Sequence, residues 1–203
     1  MTEGIDLEIP ERSVVLLIGA AGAGKSTFAR RHFPAEAILS SDTLREAIAG
    51  DAADQRRNGP VFAALHRSLE RRLEAGRLAV IDATNVTSAA RRDIRERALR
   101  TGTPVIAIVL DLPAEIVRAQ NAARTGRQVP EAIVDRHLTS LAGTLARDAL
   151  GFEGHQHIVI LHSPAEVAGV RIRSCPAWAS TAQPPGRAPL ASPGRGAGRR
   201  AGP

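Results

Sequence analysis

The run Ser13 to Ile18 passes without a break into Gly19-Ala20-Ala21-Gly22-Ala23-Gly24-Lys25-Ser26-Thr27. An uncharged, β-branched and leucine-rich run of this kind reads as a strand buried on both faces, which requires a parallel sheet covered by helices on each side. The glycine-rich stretch satisfies GxxxxGK[ST], and helical character follows over Thr27 to His32. Glycines let successive backbone N–H groups curl around an anion, and a helix N-terminus adds positive potential at the same point. Strand, loop and helix in that order predict a nucleoside triphosphate site formed by Gly19, Gly22, Ala23, Gly24, Lys25, Ser26 and Thr27. Lys25 is expected to reach the β- and γ-phosphates, and the Ser26 hydroxyl to be a Mg²⁺ ligand. The competing explanation is a glycine turn without a ligand.

Lys25 is the only lysine in the chain, against 26 arginines. In so lysine-poor a composition, a lysine at the phosphate-contacting position of a glycine loop is strong support for the site.

Apolar runs recur at Ala37 to Leu39, Leu78 to Ile81, Val105 to Leu110 and Ile158 to Leu161, with helical spacing between them. This alternation predicts an α/β fold with a parallel sheet of about five strands and helices on both faces, and the GxxxxGK[ST] loop after the first strand makes the expected architecture that of a P-loop NTPase/kinase. Val61, Leu65, Leu69 and Leu73 recur every fourth residue and read as the core face of one helix. Ile133, Val134, Leu138, Leu141 and Leu145 form another such face, with His137 beside it read as packing or surface. Asp111-Leu112-Pro113 fits a helix start. Gly50 to Gly59 reads as an exposed connection.

With 203 residues and 43% hydrophobic content, the expected organisation is a lead over 1–12, one domain over 13–173 and a Pro/Gly/Arg-rich disordered tail over 174–203. The tail supplies +4 of the formal +6 and leaves residues 1–173 near neutral, which argues against a general DNA-coating protein. No apolar run is long enough to span a bilayer and the N-terminus carries acidic rather than basic residues, so no membrane association and a cytoplasmic location are expected. The single cysteine, Cys175, has no partner for a disulfide or a thiolate metal site.

Three further motifs bear on chemistry. Ser40-Ser41-Asp42-x-x-Arg45 opens the helix after the second strand. Residues three apart share a helix face, so Asp42 and Arg45 can address one acceptor, the carboxylate taking a hydroxyl proton and the guanidinium holding a phosphate. An N-cap with a surface ion pair explains the same residues without function. Asp82-Ala83-Thr84-Asn85 ends the third strand, at the sheet edge where ligands bind. Asp82 is expected to orient Mg²⁺-bound water or Arg45, and Thr84 or Asn85 to touch the acceptor, with helix capping the alternative for Asn85. Arg124-Thr125-Gly126-Arg127 has the character of a lid whose arginines close over a triphosphate.

In order and approximate spacing, GAAGAGKST, SSDxxR, DATN, LDLP and RTGRQV resemble the kinase domain of bacterial polynucleotide kinase-phosphatase, a P-loop kinase of the AAA type, over residues 13 to 161. The resemblance implies ATP with Mg²⁺ or Mn²⁺ as cofactors and transfer of the γ-phosphate to the 5′-hydroxyl end of a nucleic acid. It also implies Asp42 as general base, Arg45 on the phosphate 3′ of the accepting nucleoside, and Arg124 and Arg127 on the ATP phosphates. Gln120 stands where the family carries a further lid arginine proposed to stack on adenine, which leaves nucleotide preference open. A kinase for a small metabolite, such as a sugar or nucleoside, and a non-catalytic ATP-binding module are the two other readings of the same motifs.

Overall fold

The computed structural model describes residues 4–49, 58–125 and 128–176. The strands are β1 (Asp6–Pro10), β2 (Val14–Ile18), β3 (Ile38–Ser40), β4 (Ala79–Asp82), β5 (Val105–Leu110), β6 (His157–Leu161) and β7 (Arg171–Cys175). The helices are α1 (Lys25–His32), α2 (Ser41–Ala49), α3 (Asn58–Glu74), α4 (Ser88–Arg100), α5 (Ala114–Ala122), α6 (Glu131–Ala146), α7 (Ala149–Phe152) and α8 (Pro164–Gly169).

Five strands form the expected parallel sheet, in the order β3-β4-β2-β5-β6. All five residues of β2 and all six of β5 are buried. The period-two alternation of side chains then divides the core in two. Val15 and Leu17 face a layer containing Phe28 and Ala29 of α1, Val117 of α5 and Val134 of α6. Val14, Leu16 and Ile18 face Leu65, Leu69 and Leu73 of α3, Ile94 of α4 and Leu141 of α6. The predicted α3 stripe is buried throughout, each of its side chains contributing roughly 1.5–3 kcal/mol.

A second, two-stranded parallel sheet joins β1 to β7, and the sequence reading named neither strand. Leu7 and Ile9 alternate with Asp6 and Glu8 and turn into the core, a half-buried strand pattern too short to stand out. Arg171 closes this ribbon with two hydrogen bonds to the Asp6 carboxylate, 2.9 and 3.1 Å long. Of the predicted tail, Ser174 and Cys175 belong to β7, and 177–203 lie outside the described residues, as does 50–57 of the predicted connection. Among the described residues no helix is long and apolar enough to cross a membrane.

Chain order moves from β2 to β3 on one side and from β5 to β6 on the other, so the strand order reverses beside β2. The crevice outside the carboxyl ends of the strands at such a switch point is where open α/β sheets bind ligands. The glycine loop leaves β2 at that place.

Candidate active site

The loop between β2 and α1 takes its shape from two left-handed glycines, Gly22 at φ 95° and Gly24 at φ 87°. Gly22 is doubly constrained, because a Cβ there would lie 2.5 Å from the Val117 carbonyl oxygen of α5. Gly24 is the N-cap of α1, and the first helical residue is Lys25. The first-turn amides of a helix have no acceptor within it, so they present donors to an anion at this position.

Lys25 is almost completely buried, and its Nζ donates to the carbonyls of Gly19 and Ala20 at 2.9 and 2.8 Å. Burial lowers its pKa from 10.5 to about 8; Asp82 opposes the fall, while Arg124 adds to it. An ammonium held in so unfavourable a place gains from any anion brought to it.

A pocket of about 410 Å³ opens beside Lys25 and Ser26. Its walls include Asp42 and Arg45 from α2, Asp82 and Thr84 from the end of β4, and Arg124 after α5. Register explains part of this convergence: Ser40 lies opposite Asp82 across the β3–β4 ladder, so the start of α2 and the end of β4 emerge side by side. Arg45 pairs with Asp42 as the one-face spacing predicts. It is only 6% exposed, whereas the Asp42 side chain is about half exposed. A buried guanidinium facing a pocket is unlike the solvated pair that a surface helix would carry.

Asn85 takes a different place. It has positive φ, and its amide group donates to the Leu17 carbonyl at 2.8 Å and to the Ala83 carbonyl at 3.3 Å. The pocket wall is formed instead by its neighbours Ala83, Thr84, Val86 and Thr87. The cap of α4 is Thr87, whose hydroxyl accepts from the Ala90 N–H. Asn85 therefore ties the turn after β4 to the central strand. Arg91, fully buried, holds the same turn from behind: it donates to the Asn85 carbonyl at 3.1 Å and binds Glu153 with two bonds of 2.8 and 2.6 Å. A backbone bond from the Gly19 N–H to the Thr84 carbonyl, 3.0 Å long, joins this turn to the phosphate loop.

The far wall was missed by sequence reasoning. Ile133, Arg136, His137 and Ser140 of α6 line the pocket, and their spacing of three and four is that of one helix stripe. His137, read from sequence as packing or surface, has its Nδ1 3.4 Å from the Ala21 N–H of the phosphate loop. Burial, with Lys25 and Arg136 nearby, lowers its pKa, so the ring is neutral at pH 7 and able to accept that bond. The stripe was hidden because it adjoins the stronger apolar stripe of the same helix.

A second pocket, of about 400 Å³, lies on the other side of the loop between Gly24, Arg31, Leu112, Gln120, Pro164 and Val167. Arg124 borders both pockets. Arg127 and Gly126 lie outside the described residues.

The donor set fits triphosphate and magnesium. A hard cation that keeps several waters and phosphate oxygens needs one or two protein oxygens, and Ser26 with Asp42 or Asp82 in the same pocket provides them.

The family model described as an AAA domain matches residues 14–144, from β2 almost to the end of α6 and thus every element around the main pocket. The chain belongs to this AAA domain family. Of the solved structures similar to this AAA domain, one chain of the Pnkp1/Rnl/Hen1 RNA repair complex superposes with a TM-score of 0.57 at 22% identity. The match covers 72% of this chain and 47% of that one, so this chain spans about half the length of that relative. A sugar kinase from Janibacter sp. HTCC2649 gives 0.51 at 22% identity, covering 74% of this chain and 84% of that one. A gluconokinase from Sinorhizobium meliloti 1021 gives 0.50 at 18% identity, covering 79% and 87%. No curated protein matches the chain. At these identities the similarity is one of fold.

Proposed function

We propose that the chain is an ATP-dependent phosphotransferase that moves the γ-phosphate to a hydroxyl, and that the hydroxyl is the 5′ end of a polynucleotide. The observation that carries this reading is the convergence of Lys25, Ser26, Asp42, Arg45, Asp82 and Arg124 on one pocket at the mouth of the phosphate loop. A triphosphate seated on the loop draws Lys25 off its own carbonyls and restores its full charge. Asp42 accepts the proton of the attacking hydroxyl, and the half-exposed position of its carboxylate leaves it accessible to an incoming group. Arg45 holds a phosphate of the acceptor by paired hydrogen bonds, a task for which a buried, preoriented guanidinium is well placed. Arg124, together with Arg127, balances negative charge on the transferring group. Ser26 and a carboxylate of the pocket would hold magnesium or manganese, which would supply positive charge to offset that of the phosphates. The nucleobase of ATP lies in the second pocket, against Leu112, Pro164 and Val167, with Gln120 and Arg31 as its polar neighbours. An ATP-dependent reaction of this kind belongs in the cytoplasm.

Residues 13–173 act here as the body of the kinase domain, to which β1 and the end of β7 add their two-stranded ribbon. The apolar side of the main pocket, made by Phe62, Val86, Val129 and Ile133, supports a second reading in which the acceptor is a small metabolite such as a sugar or nucleoside. A volume of about 410 Å³ suits an enclosed small molecule as well as a strand end. Incubation with γ-labelled ATP, Mg²⁺ and either a 5′-hydroxyl oligonucleotide or a panel of sugars and nucleosides separates the two. Label on the oligonucleotide supports the first reading. Saturable turnover of a small alcohol with none on oligonucleotides selects the second.

A further inference from the structure

Asn121, in the last turn of α5, is 7% exposed and makes both hydrogen bonds of its carboxamide to one residue. Its Nδ2 donates to the Val129 carbonyl at 2.8 Å, and its Oδ1 accepts the Val129 N–H at 3.1 Å. Val129 is itself buried and precedes Pro130, the N-cap of α6. A buried peptide at a helix entrance needs partners from outside the helix, and Asn121 provides both. The same residue rests on the phosphate loop. A Cβ on Gly22 would stand 3.0 Å from Asn121 Cβ and 3.3 Å from its backbone nitrogen, so the end of α5 approaches the loop as closely as a glycine allows. Asn121 thus touches the triphosphate loop on one side and fixes the entry to α6 on the other. Arg124 lies one short turn further on, its N–H 3.4 Å from the Asn121 carbonyl and its charge close enough to lower the pKa of Lys25.

We propose that Asn121 is a positioning residue that holds Arg124 over the phosphate loop. An arginine that stabilises developing charge is effective only when its donors are fixed before the reaction, because reorganisation then costs nothing at the moment of transfer. Arg124 follows just after the end of α5, and Asn121 binds that end to the loop and to the entry of α6, alongside the bond from Gln128 Nε2 to the Ala122 carbonyl at 2.9 Å. What Arg124 does during transfer rests on the phosphotransferase reading, whereas the positioning itself is read from nucleotide affinity alone.

The test is a double-mutant cycle on Mg-ATP affinity, measured by calorimetry for the unaltered protein, Asn121→Ala, Arg124→Ala and the double variant, with urea midpoints to show that each is folded. Asn121→Ala should weaken binding by about tenfold, the scale of one buried hydrogen-bond system lost. In the Arg124→Ala background the same change should have almost no further effect. Asn121→Asp, isosteric and able to keep the bond from the Val129 N–H, provides the cycle if the alanine variant does not fold. Any direct repulsion between the new carboxylate and ATP persists without Arg124 and cancels from the coupling. Losses that multiply independently, or an Asn121→Ala protein that binds ATP as the unaltered one does, overturn the proposal. A protein that binds Mg-ATP yet phosphorylates no acceptor refutes the phosphotransferase reading while the cycle still decides the role of Asn121.

Discussion

Replacing Lys25 by methionine should stabilise the protein and at the same time remove its nucleotide site. The ammonium is buried, and its pKa falls from 10.5 to about 8 chiefly through burial. That fall corresponds to roughly 3 kcal/mol of unfavourable free energy in the folded state at neutral pH. Methionine fills a similar volume without the charge, but it leaves the carbonyls of Gly19 and Ala20 without their donor. Lys25 itself lines the pocket, so water entering beside the methionine replaces the lost bonds at a cost of about 1 kcal/mol each. The net expectation is a gain on the order of 1 kcal/mol, or about 2–4 °C in Tm for a chain of this size. Urea denaturation with and without Mg-ATP reads both effects. The unaltered protein should gain about 2.7 kcal/mol at a ligand concentration of roughly 100 Kd, and Lys25→Met should gain nothing. A variant destabilised by more than about 2 kcal/mol would show that Lys25 holds the loop together, and the reasoning from its burial would be wrong.

The same pKa sets a pH dependence. Above about pH 8 free Lys25 is losing its proton, and bound phosphate restores it, so ATP affinity should fall by up to about tenfold per pH unit there; a flat profile to pH 9.5 contradicts this. Five histidines, His32, His66, His137, His155 and His157, have pKa values lowered by burial. Unfolded histidine takes up protons first as pH falls, so stability should decline below about pH 6.5, and urea midpoints at pH 7.5 and 5.5 check the sign. Arg45→Ala should raise KM for a phosphate-bearing acceptor at least tenfold while leaving ATP affinity within about twofold, measured by steady-state kinetics and calorimetry. Arg91→Met removes both guanidinium bonds from the nearly buried Glu153, leaving it with His155 beneath the turn after β4, and should cost about 3 kcal/mol of stability in urea, without a direct change in any group that lines the pocket.

Much of this architecture was legible because it is encoded locally. Residues 14–18 and 105–110 are continuous apolar runs, and the α3 stripe has a strict period of four, so each element declares its own burial. The phosphate loop declares itself as well, since its glycines and lysine are adjacent in the chain. Asp42 and Arg45 were legible as a pair for the same reason, being one helical turn apart. The rest depends on contacts distant in sequence. Asn85 and Thr84 are neighbours of similar polarity, and only the packing of β4 against β2 turns one to the Leu17 carbonyl and the other to the pocket. His137 reaches the phosphate loop across 116 positions of chain, and no local pattern distinguishes it from a surface histidine. The pairing of β1 with β7 joins Asp6 to Arg171, and neither short strand carries enough alternation to announce its partner.

The central claim is that Asp42 takes the proton of an acceptor hydroxyl while the phosphate loop holds the donor. Single-turnover transfer from γ-labelled ATP to a 5′-hydroxyl oligonucleotide, run on the unaltered protein and on Asp42→Asn with Mg-ATP affinity measured in parallel, tests it most directly. The account predicts labelled oligonucleotide from the unaltered protein, a loss of roughly 10²–10⁴-fold in the transfer rate of Asp42→Asn, and ATP affinity within a few-fold between the two. Transfer by Asp42→Asn at the unaltered rate would contradict it.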